Sequence, residues 1–197
     1  MMKIGFFASH RGSNMQAVLD AIRRKELQAH PAVLVCNNRG AEAATRATEQ
    51  GMPVHILNSV THPDEEALDG AILAALQEAE CDLIVLAGYM KKLGPKVLAV
   101  YGGRIINIHP SLLPKYGGQG MYGQHVHRAV LAAGDTVTGV SIHLVNEEYD
   151  QGRILAQAEV PVLAEDTVES LAARVLKCEH MFLAETLVGI TRGEIAL

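Results

Sequence analysis

The chain has 197 residues, 49% of them hydrophobic and 20% charged, an ordinary globular balance that needs no disulfide or metal to hold a core. Seventeen Lys and Arg against 22 Asp and Glu leave a net charge of −5, and aromatics are only 4% with no Trp. That argues against a general polyanion binder and against an aromatic platform for single-stranded nucleic acid. The three cysteines, Cys36, Cys81 and Cys178, are far apart and form no CxxC pair, so they read as structural thiols in a reducing compartment. No apolar run is long enough to span a membrane, and the apolar start breaks off at Ser9-His10-Arg11, too early for a signal peptide. A cytoplasmic protein is expected, without nucleic-acid or membrane partners.

The elements follow in chain order. Residues 4–8 are a short apolar run, read as a buried strand. Residues 13–25 read as a helix with Met15, Val18, Leu19 and Ile22 on one stripe. Strands are expected at 32–36, 54–57, 82–87 and 104–109, with helices at 41–50, 63–79 and, shorter, 95–100 between them. This alternation predicts βαβ units and a parallel sheet. After residue 130 the pattern changes. Two strands, 138–145 and 154–163, are separated by a gap too short for a crossover, so they form a hairpin. A helix is expected over 128–133. A long final helix starts at Val168, with Asp166 and Glu169 resembling a capping box and Leu171, Val175, Cys178 and Phe182 as its apolar stripe. The expectation is one α/β domain over residues 1–197: a Rossmann-like, mostly parallel sheet with helices on both faces, then the hairpin and the long helix.

Ligands of open α/β sheets sit beyond the carboxyl ends of the strands. After the first strand comes Ser9-His10-Arg11-Gly12-Ser13-Asn14, running into a helix. Such a helix start offers backbone N–H groups and the positive end of the dipole to a phosphate, although Ser13 or Asn14 could equally be a plain cap. It matches neither GxGxxG nor GxxxxGK[ST]. After the fourth strand comes Gly88-Tyr89-Met90-Lys91-Lys92, either a site loop or a simple turn.

The fifth strand carries Asn107 and His109 at i and i+2, on one face. An amide donor beside an imidazole suits a reacting carbonyl, the amide for an oxyanion and the imidazole for a proton. The same pair could merely satisfy backbone groups. Asp150, in the hairpin turn, is a carboxylate that would raise the pKa of His109 if near it. His125 and His127 form an HxH without further ligands at metal spacing, so no metal is expected. His143 reads as a hydrogen-bonded core histidine and Glu179 as an exposed charge at the edge of the last helix's stripe.

The segments RGSNMQAVLDAI, VLAGYMKKL, GRIINIHPSLLPKY, GVSIHLVNEEYDQGRILAQAEVPV and ARVLKCEH resemble the folate-dependent glycinamide ribonucleotide formyltransferase family of purine biosynthesis. The resemblance runs from about residue 3 to 193. It implies transfer of a formyl group from 10-formyltetrahydrofolate, as co-substrate and without metal, to the amine of glycinamide ribonucleotide. It implies Asn107, His109 and Asp150 as the catalytic trio, with His109 protonated and kept charged by Asp150. Gly12, Ser13 and Asn14 would hold the substrate phosphate and Glu179 its ribose. Met90, Lys91, Lys92 and Leu93, with Val145, Asn146, Glu147 and Asn107, would line the folate pocket. The partners implied are these two small molecules, with the protein a monomer or homodimer. Hydrolysis of formyltetrahydrofolate, and a nucleotide-binding regulator without turnover, are the rival readings. Lys91, Lys92 and Leu176 depart from the family pattern, and residues 117–127 form an expanded loop.

Overall fold

The computed structural model describes residues 1–197. Its strands are β1 (Met2–Ala8), β2 (Ala29–Cys36), β3 (Val54–Ile56), β4 (Leu83–Leu86), β5 (Ile105–His109), β6 (Val137–Leu144) and β7 (Ile154–Pro161). Its helices are α1 (Ser13–Arg23), α2 (Glu42–Glu49), α3 (Glu65–Glu78), α4 (Pro95–Tyr101), α5 (Gln124–Ala133) and α6 (Val168–Thr191). The strands form one sheet in the order β3-β2-β1-β4-β5-β6-β7, and β6–β7 is the antiparallel hairpin. The α/β alternation expected from the sequence is present. The chain resolves into two compact units, Met1–Ile106 and Asn107–Leu197.

In the first unit β1 pairs in parallel with β2 and β4, and β2 with β3. A strand flanked this way has both faces to bury, and Ile4, Phe6, Phe7 and Ala8 are fully buried. β2 begins three residues earlier than the apolar run suggests. Pro31 has no N–H to donate, and the register skips Ala32 beside it: Ile4 faces Pro31 while Gly5 faces Val33. Met15, Val18 and Leu19 bury one face of α1, with Ala21 rather than Ile22 completing it. Asp64 caps α3 by accepting from Ala67 N at 2.8 Å. Asp69 on α3 is buried because it caps a second helix, accepting Lys96 N at 2.7 Å and Val97 N at 3.3 Å at the start of α4.

In the second unit Ser141 on β6 joins three segments. Its hydroxyl donates to Ser111 O at 2.7 Å and accepts Leu113 N at 2.9 Å and Gln157 Nε2 at 2.8 Å. The segment after β5 is thereby pinned to the hairpin. α5 begins at Gln124, four residues before the expected start, so His125 and His127 are helical. The capping box of α6 is Thr167 with Ser170, not Asp166 with Glu169. Asp166 instead accepts Leu163 N at 2.8 Å and both guanidinium nitrogens of Arg174, at 2.6 and 2.7 Å. The buried stripe of α6 runs Leu171, Val175, Glu179, Leu183, Leu187 at steps of four, leaving Cys178 and Phe182 only half-buried.

Candidate active site

In the first unit the segments after β1 and β4 are stitched together. Ser9 N donates to Gly88 O at 3.0 Å, and the Ser9 hydroxyl accepts Met90 N at 2.8 Å. Asn38, after β2, donates from Nδ2 to Ser9 O at 2.6 Å. These bonds bury Ser9 and fix the backbone that enters α1. Gly12 is the N-cap, at φ 65°, and no side chain caps the helix. The plain reading of Ser13 or Asn14 as the cap is therefore corrected. Both are the first residues of α1 itself, where N–H groups point out of the helix end. Of the loop after β4, Met90, Lys91 and Lys92 are exposed while Leu93 is packed into the core.

In the second unit Asn107, His109, His143 and Asp150 form a continuous chain of contacts. Asn107 Nδ2 is 3.1 Å from His143 Nε2, which is 3.4 Å from Asp150 Oδ1. The other carboxylate oxygen, Asp150 Oδ2, is 3.5 Å from His109 Nδ1 and accepts Gly118 N at 2.9 Å. His109 Nε2 lies 2.7 Å from the Tyr116 carbonyl, and His143 Nδ1 lies 2.8 Å from the Leu144 carbonyl. A carbonyl only accepts, so each of these nitrogens carries a proton. His143 Nε2 stands between the Asn107 amide, whose Nδ2 faces it, and Asp150 Oδ1. The amide has a second Nδ2 proton for another acceptor.

The electrostatics follow from burial. His109 is 4% exposed. Burial pulls its pKa down, and the Asp150 carboxylate and Tyr116 carbonyl only partly oppose this, with His143 adding to the depression. The net direction is below the ordinary value of 6.5. This corrects the expectation that Asp150 keeps His109 charged. The carboxylate acts in the expected direction, and desolvation outweighs it. Burial pushes the Asp150 carboxyl up, but the neighbouring His143 and His109 rings and the Gly118 N–H together bring it below its usual value. Asp150 is therefore the ionised member and His109 the neutral one at pH 7.

His143 is buried and hydrogen-bonded, as expected from the sequence. Its strand position two residues after Ser141 gives no sign that its ring bridges Asn107 and Asp150. Glu179 is corrected: it is buried on the inner stripe of α6, not exposed at its edge. Val145 is half-buried, and Asn146 and Glu147 are exposed in the hairpin turn. His125 and His127 do not converge with other ligands on a metal position. Gly152, closing the Asp-x-Gly turn, has no room for a side chain: a Cβ there would lie 1.7 Å from Leu144 O.

A family model described as formyl transferase matches residues 2–187. The chloroplastic phosphoribosylglycinamide formyltransferase of Vigna unguiculata is 39% identical over 193 residues, 98% of this chain and 62% of its own length. The Arabidopsis thaliana counterpart is 38% identical and is spanned over 66% of its length, so the chain covers about two thirds of these plant relatives. The phosphoribosylglycinamide formyltransferase of Bacillus subtilis (strain 168) is 36% identical, with 100% of both chains covered. The crystal structure of glycinamide ribonucleotide transformylase 1 from Symbiobacterium toebii matches with a TM-score of 0.92 at 35% identity, over 100% of this chain and 91% of that one.

Proposed function

The chain belongs to the formyl transferase family, and we propose that it transfers the formyl group of 10-formyltetrahydrofolate to the amine of glycinamide ribonucleotide, residues 1–197 working as one domain. The observation that carries the reading is the contact chain Asn107–His143–Asp150–His109, a fixed amide donor linked to an ionised carboxylate and a neutral imidazole. Acyl transfer to an amine needs these parts. An oxyanion forms on the formyl oxygen, and the attacking nitrogen must lose a proton that the leaving nitrogen gains.

The neutral amine attacks the formyl carbon and the C=O π pair moves to oxygen, where the free Nδ2 proton of Asn107 receives it. The nitrogen, now positive, releases a proton to the Asp150–His109 pair. Neutral His109 can take this proton, and the imidazolium it becomes is stabilised by both the carboxylate and the oxyanion. Collapse of the intermediate breaks the bond to the folate nitrogen, which takes the proton. The products are the formylated ribonucleotide and tetrahydrofolate.

The ribonucleotide phosphate is assigned to the α1 start at Gly12, Ser13 and Asn14, where the N-terminal end of the helix dipole suits a dianion. Glu179 is assigned to the ribose hydroxyls, and the buried place of this carboxylate on α6 supports a role beyond solvation. Met90, Lys91 and Lys92 with Val145, Asn146 and Glu147 are assigned to the folate. Leu93, also assigned to the folate by the resemblance, is a core residue. No helix is long and apolar enough to cross a membrane. The test is to follow folate absorbance with 10-formyltetrahydrofolate alone and with glycinamide ribonucleotide added. Turnover only with the ribonucleotide is expected. Turnover without it is hydrolysis, and none in either case is the regulator reading.

A further inference from the structure

The turn that leads from β5 into the expanded loop contacts the site directly. Tyr116 has φ 56°, in the left-handed region that an aromatic residue rarely occupies. Backbone strain of this kind persists only where the surroundings hold it. Here both ends of the residue are held. Its phenol donates to Asp135 Oδ2 at 2.8 Å, and Asp135 also meets Lys115 Nζ at 3.2 Å. Its carbonyl, turned by the positive φ, accepts from His109 Nε2 at 2.7 Å. Two residues on, Gly118 N donates to Asp150 Oδ2 at 2.9 Å. Between them Gly117 permits the close approach: a Cβ there would lie 2.5 Å from Leu113 Cδ2 and 3.3 Å from Asp150 Cβ. One turn thus supplies an acceptor to the imidazole and a donor to the carboxylate.

Neutral His109 has one ring proton and two claimants. Asp150 would draw it to Nδ1, and Tyr116 O would draw it to Nε2. The distances decide between them. The Nε2 contact is a full hydrogen bond at 2.7 Å, whereas Nδ1 stands 3.5 Å from Asp150 Oδ2. We propose that Tyr116 is a positioning residue for the formyl transfer inferred above: anchored by Asp135, its carbonyl holds His109 as the Nε2–H tautomer, so that the proton of the reaction enters at Nδ1 beside Asp150. Loss of the anchor lets the ring proton move to Nδ1. The basic nitrogen then lies on the wrong edge of the ring, away from the carboxylate that stabilises its charge.

The test reads the tautomer directly, by the 15N shifts of the His109 ring in long-range 1H–15N spectra of the unliganded protein. Wild type is expected as Nε2–H. Tyr116→Phe and, independently, Asp135→Asn are expected to move His109 toward Nδ1–H and to lower kcat by up to about 10²-fold, with both KM values unchanged. A wild-type ring in the Nδ1–H form overturns the proposal, as do variants that keep both tautomer and kcat. The wild-type spectrum needs no substrate and no substitution. It therefore judges this proposal even if formyl transfer fails, and the turnover assay judges formyl transfer even if the tautomer is otherwise.

Discussion

Asp150 Oδ2 and His109 Nδ1 face each other at 3.5 Å, a separation at which a neutral imidazole and an ionised carboxylate meet lone pair to lone pair. The contact becomes attractive only when Nδ1 gains a proton, which is the event the chemistry requires. Asp150→Asn removes the one charge that raises the His109 pKa, so that pKa falls further below 6.5. NMR titration of His109 in both proteins checks the direction. A rise in the variant would mean that the carboxylate does not act on the ring.

His143 sets the Asn107 amide, and its removal separates orientation from binding. His143→Phe keeps a ring in the pocket but loses the acceptor for Asn107 Nδ2 and leaves Leu144 O without its donor. A loss of about 10²-fold in kcat is expected from the misplaced amide, with stability lower by about 1 kcal/mol for the half-buried groups left unsatisfied. Steady-state kinetics and denaturant unfolding read the two effects separately. Unchanged kcat would remove the Asn107–His143 contact from the mechanism.

At the start of α1 the burden falls on N–H groups and on the Ser13 hydroxyl. Ser13→Ala should raise the ribonucleotide KM by the equivalent of about 1 kcal/mol, and up to about 3 if the phosphate is left short of a donor. The folate KM should stay where it is. Varying each substrate in turn is the check. A change confined to the folate KM would move the phosphate to another place, with Lys91 and Lys92 first to be tested.

Acid should weaken the fold earlier than its carboxylates alone would. His109, His127 and His180 all have pKa values pulled below 6.5 by burial. A base whose folded pKa is depressed binds fewer protons folded than unfolded, so stability rises with pH across that interval. It is complete above 6.5 and lost as the pH falls from there toward the folded values. Thermal melts across this range should show Tm falling on the acid side. A flat Tm from neutral pH down to the carboxylate range would contradict the buried, neutral state of these rings.

The strand-helix alternation was legible because buried parallel strands read as short apolar runs, and because Gly and Pro mark most boundaries. The apolar run understates β2 because Pro31 interrupts it although the ladder continues past it. The sequence pattern places the cap of α6 one residue early because Asp166, a good cap by type, is taken by Arg174. In the site, Asn107 and His109 were legible from strand periodicity and Asp150 from its motif. His143 and Tyr116 were not. Their roles depend on which ring nitrogen meets which carbonyl, and spacing carries no information about that. The sign of the His109 shift was missed for a related reason: a partner's charge can be read from the sequence, but the depth of burial opposing it cannot.

Passage of the formyl carbon to the ribonucleotide is followed by supplying 10-formyltetrahydrofolate labelled with 13C at the formyl carbon and reading where the label goes by NMR. The expected result is a formamide carbon on glycinamide ribonucleotide, mole for mole with tetrahydrofolate and absent when the ribonucleotide is withheld. Label recovered as free formate, or left on the folate, would contradict it.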